Sequence, residues 1–140
     1  FTYKPANHRE RQMIKVSDAM VKKVLTIDSD GSIEDAVKIM GKKHVGSLIV
    51  TKKGKPVALF TERDLLTRVL GKGVSTKKKV GKYSSYPLTV ISPDMDLKDA
   101  ARVMSQLKIR RLPVLKNGKL VGVITSADIV KAIAEAPLSI

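Results

Sequence analysis

Cysteine and tryptophan are absent from this chain of 140 residues, and only five side chains are aromatic: Phe1, Tyr3, Phe60, Tyr83 and Tyr86. Without cysteine there is no disulfide framework, thiolate zinc site, iron–sulfur cluster or cysteine nucleophile. The two histidines, His8 and His44, share no ligand spacing, so no catalytic metal is expected. No apolar run nears the roughly 18–20 residues that span a bilayer. Residues 1–15 are polar and charged, unlike a signal peptide. Signatures of catalysis are missing too. Gly71-Lys72-Gly73 is too short for a phosphate-cradling glycine loop, and there is neither a Gly-x-Ser-x-Gly elbow nor a His-x-x-x-His pair. These absences point away from an enzyme, from a required cofactor and from a membrane protein. They leave a cytoplasmic binding module as the expectation.

Acidic residues are also scarce, 13 against 27 Lys and Arg, for a formal charge of +14. The imbalance is even along the chain: residues 1–70 carry 14 basic and 8 acidic side chains, residues 71–140 carry 13 and 5. There is therefore no basic tail on a neutral core. A lysine-rich solvated surface explains this, and so does attraction to a polyanion.

What the chain does have is a repeat. Residues 16–65 align on 80–129 without a gap, at a shift of 64, with fourteen of fifty positions identical. The matches include Asp35/Asp99, Ala36/Ala100, Met40/Met104, Gly54/Gly118, Thr61/Thr125 and Asp64/Asp128. Each copy reads as a β-α-β-β-α unit. Ile33, Ala36, Val37 and Met40 form the apolar stripe of a helix over 32–43, and Leu97, Ala100, Ala101 and Met104 do so over 96–107. Ser32 and Asp96 suit the N-caps. Apolar runs at 47–51 and 111–115 read as strands, joined by turns at Lys53-Gly54 and Asn117-Gly118 to returning strands at 56–60 and 120–124. Second helices follow over 61–70 and 125–134. Extended pieces at 25–28 and 89–92 open the units, and residues 9–20 suggest one extra helix. The fold class expected is thus mixed α/β (α+β), with two pseudo-symmetric units packed sheet to sheet. The divisions are an N-terminal extension at 1–15, units at 16–70 and 80–134, a linker at 71–79 and a tail at 135–140. One unit alone would bury too little apolar surface to be secure.

The ends Phe60-Thr61-Glu62-Arg63-Asp64 and Ile124-Thr125-Ser126-Ala127-Asp128 combine a hydroxyl and a carboxylate where strand becomes helix. A capping box accounts for such a pair. So does a site at which the carboxylate accepts two bonds from a ribose diol and nearby N–H groups meet phosphate. The duplicated unit, these Thr-x-x-Asp ends and the segment Ile109-Arg110-Arg111-Leu112-Pro113-Val114 together resemble a pair of CBS domains, the Bateman module, over about residues 16–132.

The resemblance implies a regulatory module that senses adenosine nucleotides (AMP, ADP or ATP) or a related adenosyl ligand in clefts between the two units. It implies that Asp64 and Asp128 hold ribose, with Thr61 and Thr125 beside ribose or the α-phosphate. Leu25-Thr26 and Leu88-Thr89 would edge the base through backbone groups. Arg110, in the segment running to Pro113, would meet phosphate at the Asp128 site. Arg63 would reach that same phosphate, and Arg111 the Asp64 site. The first unit departs from the pattern, with Gly46-Ser47-Leu48-Ile49 in place of Arg110-Arg111-Leu112-Pro113, so the Asp128 site is expected to be the better one. A homodimer through the helices is implied, with Ile129, Val130 and Ile133 needing cover, and a regulated protein as further partner. The alternative reading is a basic nucleic-acid-binding or transcription-linked protein. Against it stands the lack of an aromatic stacking platform or a groove-reading helix.

Overall fold

The computed structural model describes residues 13–135, and the start of the expected N-terminal helix and the C-terminal tail lie outside them. The chain is a mixed α/β protein that divides into two compact units. The first is built from residues 23–89 with 118–120. The second takes its described residues from 13–22, 90–117 and 121–135.

In the first unit, strand β1 (Thr26–Asp28) runs parallel to β2 (Ser47–Lys52), which pairs antiparallel with β3 (Lys55–Thr61). The hairpin between β2 and β3 turns on Lys53 and Gly54, with φ of 52° and 77°. Two successive left-handed residues match the right-handed twist of a hairpin, and glycine takes the second at no steric cost. The register skips one residue of β3 between Val50↔Ala58 and Thr51↔Pro56. Pro56, which has no N–H to give, thus sits at a bulge, where proline is tolerated. Helix α2 (Ile33–Lys43) is capped by Ser32, whose hydroxyl accepts from the Asp35 N–H, and ends at His44 in the left-handed region. It buries Ile33, Ala36 and Met40 against Leu48, Val50, Ala58 and Phe60.

The second unit repeats this plan. It holds α4 (Leu97–Leu107), capped by Asp96, and the hairpin of β4 (Arg111–Lys116) and β5 (Lys119–Thr125), turned on Asn117 and Gly118. Helix α5 (Ser126–Glu135) closes it. Leu97, Ala100, Met104, Leu112, Val114, Ile124 and Ile129 form its core. Burial of about ten such side chains per unit, at roughly 1.5–3 kcal/mol each, is the main force holding each fold.

Three expectations are corrected. The extended piece expected at 89–92 is only an isolated bridge, Ile91↔Val114. In the first unit the Ile49 N–H donates to the Leu25 carbonyl at 3.2 Å. Its counterpart is Pro113, which has no N–H, so the ladder cannot continue to Thr89. The helix expected at 61–70 is broken up. A single turn, α3 (Glu62–Asp64), widens into a π turn at Leu65–Val69 and tightens into a 3₁₀ turn at Leu70–Lys72. Thr67 donates its hydroxyl to the Arg63 carbonyl four residues back, a bond that bends helices, and Arg68 is drawn toward Asp64 and the Ser84 carbonyl. Lys131 and Ala132 stand at these places in α5, which stays regular. In the expected N-terminal helix, the described residues hold only the short α1 (Val16–Ala19).

Each unit also takes in a segment from the neighbourhood of the other repeat. Val21 bridges Val123 in the second unit, and Ser85 bridges Leu59 in the first. Both pairs are related by the shift of 64, so the exchange is part of the duplicated design. Residues 74–81 run back along the start of α2. There the Ile33 N–H donates to the Lys78 carbonyl, Val80 is buried, and Lys77 pairs with Glu34 at 3.0 Å.

Candidate functional site

Both Thr-x-x-Asp ends form the reciprocal cap that the spacing permits. At the second, the Asp128 Oδ2 accepts from the Thr125 N–H and hydroxyl, each at 2.9 Å, and the Thr125 Oγ1 accepts from the Asp128 N–H at 3.2 Å. At the first, the Asp64 Oδ2 accepts from the Thr61 N–H and hydroxyl, each at 3.0 Å, and Thr61 Oγ1 accepts from the Asp64 N–H at 3.1 Å. Four orphan donors are satisfied, which explains why these residue types recur whatever else they do.

The surroundings differ. Asp128 is half-buried, and its Oδ1 accepts no hydrogen bond from the described residues. Asp64 is 3% exposed. Its Oδ1 accepts from the Ser85 hydroxyl at 2.9 Å and lies 3.4 Å from the Arg68 Nε. The same hydroxyl lies 3.1 Å from Oδ2. Arg68 also donates from Nη1 to the Ser84 carbonyl at 3.0 Å.

A second backbone link fixes the arginine segment. The Ser126 N–H donates to the Arg110 carbonyl at 3.0 Å, so the exposed Arg110 side chain leaves the backbone beside the start of α5. The equivalent bond in the first unit joins the Glu62 N–H to the Gly46 carbonyl, also at 3.0 Å. There a Cβ on Gly46 would come within 2.9 Å of the Glu62 Oε1. The first end thus carries a carboxylate where the second carries a guanidinium.

Among the predicted site residues, Arg110, Arg111, Pro113, Thr125 and Asp128 belong to the second unit, and Leu25, Thr26, Thr61, Arg63 and Asp64 to the first. Pro113 is buried, Arg111 half-buried and Arg63 exposed. Leu88 and Thr89 close the first unit and lead into Ile91. The two base-edging pairs are not equivalent. Ile27 opposes Val50 as Ile91 opposes Val114, so Thr89 corresponds to Leu25, and Thr26 to Val90. The Leu25 carbonyl is bound to the Ile49 N–H, whereas Thr89 has no such ladder partner. Tyr83 packs on the first core, and Tyr86 donates its hydroxyl to the Gly81 carbonyl at 3.0 Å. Sequence reasoning missed Ser85, Arg68 and Glu62. The shift of 64, carried a few residues past the aligned stretch for Arg68, held the signal, since Val21, Ala132 and Ser126 stand in their places in the other copy. Among the described residues no group of His, Cys, Asp or Glu is arranged to hold a metal ion, and no helix is long and apolar enough to cross a membrane.

A duplicated β-α-β-β-α unit with a Thr-x-x-Asp cap at each strand-to-helix junction defines a paired α/β module. The chain belongs to the CBS domain family, whose model matches residues 16–71 and 80–135. It is 32% identical over 117 residues to the CBS domain-containing protein YhcV of Bacillus subtilis, covering 84% of each chain. It is 35% identical over 117 residues to an uncharacterized protein of Methanocaldococcus jannaschii, of which it spans 41%. The structure of a putative signal-transduction protein with CBS domains from Burkholderia ambifaria superposes with a TM-score of 0.78 at 26% identity, over 89% of this chain and 96% of that one.

Proposed function

We propose that this chain is a regulatory module, not an enzyme, that senses an adenosine nucleotide through the residues around Asp128. The observation that carries the reading is the half-buried Asp128 carboxylate, held through Oδ2 by Thr125 while Oδ1 accepts no hydrogen bond from the described residues. An oriented carboxylate with open lone pairs suits the vicinal hydroxyls of ribose. Arg110, anchored through its own carbonyl to Ser126, supplies a planar donor fork for phosphate, with Arg63 as a further cation. Leu88 and Thr89 edge the base, and the Thr89 carbonyl, which Pro113 cannot engage, suits an exocyclic amine. Occupancy shifts the conformation that an associated protein reads, in a cytoplasmic setting.

The same proposal includes a homodimer. Leu66 and Leu70 are 60% and 56% exposed, and Val130 on α5 is 67% exposed. Leu66 and Val130 are equivalent positions, so the apolar surface recurs in both repeats. Ile129, expected to need cover from a partner, is already buried in its own core.

The test is a thermal-shift screen of AMP, ADP, ATP, NAD, S-adenosylmethionine and nucleic acid. The proposal expects stabilisation by an adenosine nucleotide that survives moderate salt, because ligands bound only to the native state raise its stability. Binding of DNA or RNA that falls steeply with salt, without a nucleotide effect, would instead favour the polyanion reading of the +14 charge.

A further inference from the structure

We infer that the Asp64 end is an internal tie and not a second ligand site, so that the chain takes one nucleotide, at Asp128. This rests on the nucleotide reading above, but the tie itself stands on geometry alone. Among the paired positions that differ between the two ends, four act in this direction.

Ser85 stands where the second end has Val21, and its hydroxyl reaches Asp64 at 2.9 Å. Arg68 stands where the second end has Ala132, and its Nε approaches the same oxygen at 3.4 Å. Between them they cover the oxygen whose counterpart on Asp128 accepts no hydrogen bond from the described residues. A ribose diol at Asp64 would have to displace both, exchanging existing hydrogen bonds for equivalent ones at little net gain. Glu62 replaces Ser126, and Gly46 replaces Arg110. The place from which a phosphate-binding side chain would leave is taken by a carboxylate, 2.9 Å from a Cβ at position 46. A phosphate brought there meets like charge instead of a guanidinium.

The tie has a structural job in the first unit. Asp64 joins the turn α3 to Ser85, and Arg68 joins it to the carbonyl of the buried Ser84. This fastens residues 80–89 to a unit whose other strands and helices all come earlier in the chain. Both ends share a reciprocal backbone pair, Ser85 with Leu59 at 2.7 and 3.1 Å and Val21 with Val123 at 2.8 and 2.9 Å, and the first end adds the side-chain tie to it.

The experiment is calorimetric titration of AMP into the full chain, with thermal unfolding of the same samples, for wild type, Asp64→Asn, Ser85→Ala and Asp128→Asn. The inference expects one AMP per wild-type chain, affinity within about twofold in Asp64→Asn and Ser85→Ala, and at least tenfold loss in Asp128→Asn. It expects Asp64→Asn to lower the melting temperature more than Asp128→Asn does, with Ser85→Ala between. Ser85→Ala keeps the carboxylate, and reports on the tie if Asp64→Asn does not fold. Two AMP per wild-type chain, one lost in Asp64→Asn or Ser85→Ala, would overturn the inference and leave the nucleotide reading intact. If AMP does not bind the wild type, the one-site claim falls with that reading. Melting temperatures equal for Asp64→Asn and Asp128→Asn would overturn the tie whatever binds.

Discussion

The two strand-to-helix ends began as copies and still share a cap, a threonine, an aspartate and a backbone bond from the first residue of the helix turn to the segment before the preceding hairpin. They differ in what surrounds the carboxylate. At Asp64 a serine and an arginine close in and the residue is buried; at Asp128 a valine and an alanine stand in those places and one oxygen accepts no hydrogen bond from the described residues. Duplication hands a chain two equal sites. On the inference above, substitutions at paired positions turn one of them into scaffold and keep the other for a ligand.

The largest effect expected is on stability. Asp64→Ala strips the partner from Ser85, from Arg68 and from the Thr61 N–H in a buried place, at a cost of about 3 kcal/mol. For a domain of this size that is a fall of roughly 10 °C in melting temperature. Asp128→Ala loses a half-exposed cap and should cost about 1 kcal/mol. Chemical denaturation of the two variants side by side measures the difference. Equal losses would erase the contrast between the ends.

Smaller in size but sharper in meaning is the response to phosphate. AMP should bind more tightly than adenosine, and Arg110→Ala should narrow the gap by about 1.5–3 kcal/mol, as expected for a hydrogen bond to a charged group. Arg110→Lys should restore the gap only in part, because lysine keeps the charge but not the planar fork. Neutralising Lys77, Lys78 and Lys79 together should barely move nucleotide affinity. If that triple variant loses as much as Arg110→Ala, attraction is diffuse.

The smallest effect is electrostatic and confined to acid. Lys77, by hydrogen bond, and then Lys38 hold the half-buried Glu34 carboxyl below its ordinary range. A lowered folded-state pKa stabilises above the unfolded value of about 4.5 and is lost as pH falls through the folded one. Glu34→Gln should therefore differ slightly from wild type at neutral pH, and the difference should fade as the pH falls below 4.5 and through the folded-state pKa. A difference that grows in acid would contradict the assigned sign.

Much of this was legible in the sequence. Period and glycine turns located α2, α4 and both hairpins to within a residue or so, because apolar stripes and left-handed turn residues are local signals. What escaped was non-local. Nothing near Ser85 or Val21 says which unit it will join, since the pairing partners Leu59 and Val123 lie 26 or more residues away. The π turn at Leu65–Val69 goes with Arg68 reaching Asp64 and the Ser84 carbonyl, contacts that no helical pattern reveals. The missing strand at 89–92 was readable in principle. It needed Pro113 to be recognised as the partner of Thr89 across the sheet, and that register came only with the structure.

One titration bears most directly on the claim that Asp128 holds the ligand. AMP and adenosine are titrated into wild type and Asp128→Ala, with folding checked by the melting temperature of each sample. Loss of hydrogen bonds to a charged group predicts that Asp128→Ala weakens both ligands by about 1–3 kcal/mol, close to 5- to 150-fold, because both carry the ribose. Unchanged affinity for both ligands in a folded Asp128→Ala protein would contradict the account.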